Sequence, residues 1–166
     1  MLFLSGCSLV PGVGGGGSAG PPKVEVNSKG NVKGAIARVQ RNVNGYEVHI
    51  DLLRLKRFDN ALRLEFAVIP RSNGSSDELP SSWFAASEPI SSSSDVSGIY
   101  LLDTKNLRQY KPLQAGEECV CSRNLDTYPL DKPTVLYADF PVPPEDLKDI
   151  TVVFPNVGPV PNVKVS

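Results

Sequence analysis

The chain has 166 residues, with 17 lysine and arginine side chains against 18 aspartate and glutamate side chains. Such an even balance offers neither the basic face that nucleic-acid binding needs nor a polybasic patch for anionic lipids. The length corresponds to one domain after an N-terminal extension, and a domain of this size can form a stable core without metals or many cross-links.

The first feature along the chain is the run Leu4-Ser5-Gly6-Cys7, which follows an apolar start. This run is typical of a bacterial lipobox, in which residues 1–6 end a signal peptide and Cys7 becomes the acylated first residue of the mature chain. It predicts a lipoprotein held at the extracytoplasmic side of the cell membrane by acyl groups such as palmitate. The short, uncharged start leaves two readings open: a true start further upstream, or an apolar beginning of a cytosolic protein.

The segment after Cys7 is rich in glycine, serine and proline. Residues 10–22 read VPGVGGGGSAGPP and contain almost no side chain that could be buried. Because such a segment cannot offset its own ordering entropy, we expect a flexible linker over residues 7–31 and a folded domain over residues 32–166. As a random coil the linker would reach about 25–30 Å.

Beyond the linker the hydrophobic pattern favours strands. Residues 62–69 and 46–52 alternate between apolar and more polar side chains, and the phase of the second run shifts after Leu52, which predicts a bulge or a change of partner strand. Residues 42–45 predict a hairpin turn. The full set of predicted strands is 34–41, 46–52, 62–69, 99–102, 109–113, 134–140, 150–154 and 162–165.

Helices are disfavoured throughout. The chain contains 15 prolines, and only Pro144–Leu147 suggests a single short helical turn. Seven or eight short strands separated by turn-forming residues predict an all-β fold, namely an immunoglobulin-like antiparallel β-sandwich. A small open barrel is the alternative.

Residues 72–98 form a long serine-rich excursion with few apolar side chains. Excursions of this length in compact domains are usually functional or disordered. Trp83 and Phe84 stand together within it, and they have two readings. They could fold back to close one end of the sandwich, or they could be an exposed aromatic anchor for a partner.

Cys119 and Cys121 form a close pair that fits an oxidising compartment. In an extended strand their Cα atoms would lie about 6.6–6.8 Å apart, so a disulfide would require a bend. Three readings remain: a local structural disulfide, a Cu(I) site built on two thiolates, or a redox-active pair.

Catalytic chemistry has little support in the sequence. His49 is the single histidine, lies on the polar side of a predicted strand, and is accompanied by no nucleophile elbow, phosphate loop or zinc-binding helix motif. We therefore expect no catalytic residues, no metal site and no cofactor, and a protein that is not an enzyme.

The C-terminal part resembles a known group of proteins. Segments 100–103, 110–113, 119–122, 135–144 and 151–155, together with the closing 163–166, are similar in order to segments of actinobacterial surface lipoproteins. The resemblance covers residues 32–166. It implies an immunoglobulin-like domain that in some relatives precedes an OmpA-like, peptidoglycan-binding module, but it implies no catalytic residue and no wall-binding activity for this chain.

Together these features predict a lipid-anchored binding or structural module of the cell envelope. Its partners would be the membrane, through the anchor, and an envelope protein or cell-wall component, without nucleic acid. The expected contact surfaces are the serine-rich loop with Trp83 and Phe84, and an exposed sheet edge that could accept an added strand. The alternative is a copper or redox accessory protein that works through Cys119 and Cys121.

Overall fold

The computed structural model describes residues 24–72, 78–87 and 94–166. These residues form ten strands in which every pairing is antiparallel, plus one turn of 3-10 helix at Ser81–Phe84. None of the described helices is long and apolar enough to cross a membrane. The strands are β1 (Ala37–Val43), β2 (Tyr46–Arg57), β3 (Leu62–Arg71), β4 (Tyr100–Asp103), β5 (Arg108–Tyr110), β6 (Gln114–Ala115), β7 (Glu118–Cys119), β8 (Thr134–Phe140), β9 (Asp149–Phe154) and β10 (Gly158–Lys164).

The strands build a sandwich of two four-stranded sheets, ordered β1-β2-β3-β8 and β10-β9-β4-β5. In immunoglobulin terms β2, β3 and β8 take the places of strands A, B and E, while β4, β5, β9 and β10 take those of C, C′, F and G. Strand β1 is added outside A, and the chain between β5 and β8 forms the small β6–β7 hairpin. The predicted immunoglobulin-like sandwich is therefore confirmed, with two short strands more than the sequence suggested.

The hairpin between β1 and β2 closes with a two-residue turn. Asn44 and Gly45 both have positive φ, at 50° and 84°, as the preferred hairpin turn requires. Further along β2, the register against β3 shifts between Leu52 and Arg54. On the other side of β2, Leu52 is the last partner of β1, while Leu55 and Arg57 bond to the backbone of Ser166. Of the two alternatives that the phase shift predicted, the bulge is therefore present, and beyond it this side of β2 bonds to the C-terminal residue rather than to another strand.

An aromatic cluster fills the space between the two sheets. Phe66 of β3 meets Phe154 of β9 with ring centroids 5.2 Å apart, and Phe84 packs edge-on against both rings and against Tyr128. All four side chains are almost completely buried. The inward-facing residues of β2, β3 and β8 follow the period of two that the sequence shows, which is why these strands were predictable.

The outer face of the first sheet is partly covered by residues 24–36, which we call the N-terminal strap. The strap turns back on itself through a bridge between Val26 and Val32, and Val32 packs on Ala67 and Ile69. The sequence predicted that residues 24–31 belong to the linker and that the outward side of β3 is a mixed face. In the structure, the strap packs against that side of β3. The sequence did not predict the strap, because its polar, glycine-containing residues show no hydrophobic periodicity.

We expect Phe66→Ala to lower the free energy of unfolding by about 3–5 kcal/mol, because it opens a cavity among the core aromatic rings. Urea denaturation monitored by circular dichroism measures the change. Leu107→Ala is the matched control, since this side chain is 91% exposed and its loss should change stability by less than about 0.5 kcal/mol. Equal effects of the two substitutions would contradict the assigned core.

Candidate functional site

The predicted acylation site, Cys7, lies outside the described residues. The described chain begins at Val24, which borders an open cleft beside the first half of β8. Leu125 and Val135 supply apolar walls of this cleft, and Arg123 and Asn124 line it as well. The N-terminal segment therefore enters the body beside β8, on the outer face of the first sheet.

Trp83 and Phe84 do not form an exposed anchor, so that prediction is wrong. Trp83 is 8% exposed and packs edge-on against Tyr46, while Phe84 is fully buried in the aromatic cluster. Asn156 donates its side-chain amide to the Trp83 carbonyl at 2.8 Å and holds the helical turn in place. The described residues 81–84 thus turn their apolar pair into the sandwich, as the first of the two readings held.

Cys119 and Cys121 lie at disulfide-bonding distance, with Cα atoms 5.3 Å apart. The bend that brings them together arises because the chain changes pairing partner. Cys119 pairs with Gln114 in the β6–β7 hairpin, whereas Cys121 bridges Ala138 at the edge of β8. Both cysteines are buried in the core cluster. Their position indicates a junction that fixes the hairpin to the outer edge of β8.

His49 lies under the N-terminal strap rather than in a cleft. Its Nε2 atom is 2.8 Å from a carboxylate oxygen of Glu47, and its Nδ1 atom is 3.5 Å from the Asn31 side chain. Next to it, the fully buried Asp51 carboxylate accepts the Val32 N–H at 2.5 Å and forms an ion pair with Arg38. These groups attach the strap to β1 and β2, which accounts for each of them structurally.

The other buried carboxylates are also occupied. Asp139 receives two parallel hydrogen bonds from Arg63 at 2.7 Å, and Asp95 accepts from both the N–H and the hydroxyl of Ser97. A carboxylate held this way is a structural acceptor rather than a free acid or base. Among residues 24–72, 78–87 and 94–166, no three histidine, cysteine or acidic side chains group as a metal site would require.

Three of the five large apolar side chains that are exposed among the described residues lie at one end of the sandwich, which we call the loop end. It comprises the turns 58–61, 104–107 and 141–148, which follow β2, β4 and β8. Three large apolar residues are exposed there: Phe58 at 48%, Leu107 at 91% and Val142 at 40%. The turns are linked, because Arg57 donates to the Pro143 carbonyl at 2.7 Å and Lys105 lies 3.8 Å from Asp146.

The most exposed of these side chains stands on an unusual backbone. Leu107 has a φ of 52°, a left-handed conformation that leucine rarely adopts. The turn is held by Asp103, whose carboxylate accepts the Asn106 side-chain amide at 2.7 Å and the N–H groups of Asn106 and Lys105. These bonds, the side-chain bond first, hold the pKa of Asp103 below its ordinary range. A rigid turn thus presents a bare apolar side chain to solvent.

Sequence reasoning did not find the loop end. Each of its apolar residues is isolated among polar neighbours in a separate turn, so no periodic pattern marks it, and only the topology brings the turns together. A single apolar residue inside the predicted turn after β4 was the one available signal. The arrangement can bury apolar area against another surface, and it contains no constellation for bond making or breaking.

Comparisons with known proteins give no relative for this chain: no family model, no curated protein and no solved structure matches it.

We expect the Asp103 carboxylate to titrate below the ordinary aspartate value of 3.8. Because its folded pKa is lowered, the contribution to stability is present above that ordinary value and is lost as the pH falls through the folded pKa. The backbone amide signals of Lys105 and Asn106, followed by NMR during acid titration, report the transition. Asp103→Asn should abolish it, and a midpoint at or above the ordinary value would contradict the assigned hydrogen bonds.

Proposed function

We propose that this protein is a membrane-anchored, extracytoplasmic lipoprotein that acts as a binding or structural module at the cell envelope. The observation that carries the proposal is the combination of the Leu4–Cys7 run with a following spacer and a compact sandwich. Acylation of Cys7 would hold the sandwich near a bilayer, and the glycine-rich segment would separate the two.

The binding role is supported by a contrast between the polar groups and the exposed apolar side chains of the described residues. His49 and the buried carboxylates form hydrogen bonds or ion pairs with the strap, with turns and across strands. Three of the five large exposed apolar side chains of the described residues lie at the loop end. Exposed apolar side chains on neighbouring turns could bury area against a partner. The segment between Cys7 and the sandwich would let an anchored domain turn this end towards an envelope protein or a cell-wall component.

The cysteine pair is better accounted for as a structural disulfide than as a working site. Cys119 and Cys121 are 9% and 3% exposed, and reactive or metal-exchanging thiols need access to solvent or to a partner. Burial therefore weighs against the copper or redox alternative. The bridge would secure the β6–β7 hairpin against β8 in an oxidising compartment.

We expect the native protein, purified from membranes, to begin at Cys7 and to carry acyl groups, as intact-mass spectrometry can show. Cys7→Ala should leave the chain unacylated and move it from the membrane fraction to the soluble fraction. Cys121→Ser, the matched control, should remain acylated and membrane-bound. A native product that retains residues 1–6 with a free thiol at Cys7 would overturn the proposed anchor.

We expect replacement of both Cys119 and Cys121 by serine to lower the free energy of unfolding by only about 1–2 kcal/mol, because the ring closed by the bridge is so short. Urea denaturation checks this value. The protein with both cysteines present, reduced and mixed with Cu(I) in the presence of a competing chelator, should retain no more copper than the double variant does. Stoichiometric copper retention that is lost in Cys121→Ser would instead support the accessory role.

A further inference from the structure

The N-terminal strap is fastened to the first sheet at Asn31, whose side-chain oxygen lies between two other side chains. Arg71 of β3 donates to this oxygen from Nη2 at 3.3 Å, and the Nδ1 atom of His49 lies 3.5 Å from it. The Arg71 bond identifies the atom as the amide oxygen, because a guanidinium can only donate. A hydrogen bond between His49 and the same oxygen therefore requires a proton on Nδ1.

The other ring nitrogen of His49 also faces an acceptor. Its Nε2 atom lies 2.8 Å from Oε1 of Glu47, which accepts from the Gln40 amide as well. A neutral imidazole carries one N–H and can serve only one of the two oxygens, whereas an imidazolium donates from both nitrogens. The side chain is 12% exposed, so little water can replace a missing bond. The positions of Glu47 and Asn31 thus suit the protonated ring.

The charges around His49 favour a cation at this position. Three carboxylates and two guanidinium groups lie on this face of the first sheet or pair with a group there: Glu47, Asp51, Asp131, Arg38 and Arg71. The charged residues of the strap are exposed: Glu25, Lys29 and Lys33. Because the carboxylates outnumber the guanidinium groups by one, a positive charge on His49 balances the set.

We propose that His49 makes the strap a pH-sensitive latch, which the protonated ring closes and the neutral ring loosens. Once the proton is lost, one ring nitrogen turns a lone pair towards an oxygen. Turning the Asn31 amide around would offer that nitrogen an N–H, but would set the same group against the Arg71 guanidinium. Protonation and closure therefore favour each other, so the latch weakens as the pH rises. His49 is the single histidine of the chain, the side-chain type that ordinarily changes charge between about pH 5 and pH 8.

The latch would regulate how an anchored domain is held, and this step rests on the proposed function. The strap lies between Cys7 and the sandwich, so an open strap adds its length to the spacer. Opening also uncovers Ala67 and Ile69, on which Val32 packs. The sandwich would therefore stay closer to the membrane at mildly acidic pH than at neutral pH.

Amide hydrogen exchange, followed by NMR in the full chain carrying Cys7→Ser, tests the latch between about pH 5 and pH 7.5. The reporters are the N–H groups of Val32 and Lys33, which donate to the Asp51 carboxylate and the Glu25 carbonyl. After correction for the pH dependence of free-amide exchange, their protection should fall about fivefold as the pH rises, the loss expected for one hydrogen bond. The amide of Ile50, a buried residue in the ladder between β1 and β2, is the internal control and should not change.

Two variants separate the latch from a general effect of pH. His49→Gln cannot titrate, and Asn31→Ala leaves the histidine in place but removes its partner on the strap. In both variants the strap protection should be the same at the two ends of the pH range, with the fold verified by circular dichroism. Gln40→Ala is the matched control, because it removes a bond to Glu47 without touching the strap, and it should keep the pH dependence.

Two outcomes would overturn the latch. One is strap protection that does not change with pH in the chain with His49 and Asn31 intact, a result that needs no variant to fold. The other is a pH dependence that survives in Asn31→Ala. Neither outcome bears on whether Cys7 is acylated, so the latch and the proposed anchor fail separately.

Discussion

Burial of one aromatic cluster between the two sheets is the interaction on which the rest of the structure depends. Phe66 and Phe154 come from facing sheets, whereas Phe84 comes from the excursion between β3 and β4. The helical turn at Ser81–Phe84 therefore belongs to the core as much as the strands do. Packing is also tight at Gly98, just before β4. A Cβ atom added there would lie 2.6 Å from the Ala85 carbonyl oxygen.

A second constraint acts on the outer face, where a buried charge organises the surroundings. Asp51 has no exposed area, so it must be paired and hydrogen-bonded, and it draws in both the strap and Arg38 of β1. The strap then covers Ala67 and Ile69. As a result, the polar groups that a sequence search would inspect for chemistry serve to hold three segments of chain together.

Much of the sheet framework could be predicted from the sequence, because period-two alternation and the Asn44-Gly45 turn report directly on β2, β3 and their pairing. The bulge near Leu52 was predictable for the same reason, because the alternation changes phase there. Contacts made by segments without hydrophobic periodicity could not be predicted. The strap and the inward orientation of Trp83 and Phe84 both depend on residues that are distant in the sequence. The loop end is also invisible locally, since only the strand order brings Phe58 and Leu107 to the same end.

The way the chain joins the body has a mechanical consequence. A pull applied through the N-terminal side reaches Val24 first, and it would peel the strap through the Val26–Val32 bridge before it loaded the sheets. The strap is therefore in series with the sandwich, and it would unfold before the sheets do. Extension under load would lengthen the spacer by up to about 40 Å while leaving the eight strands of the two four-stranded sheets intact.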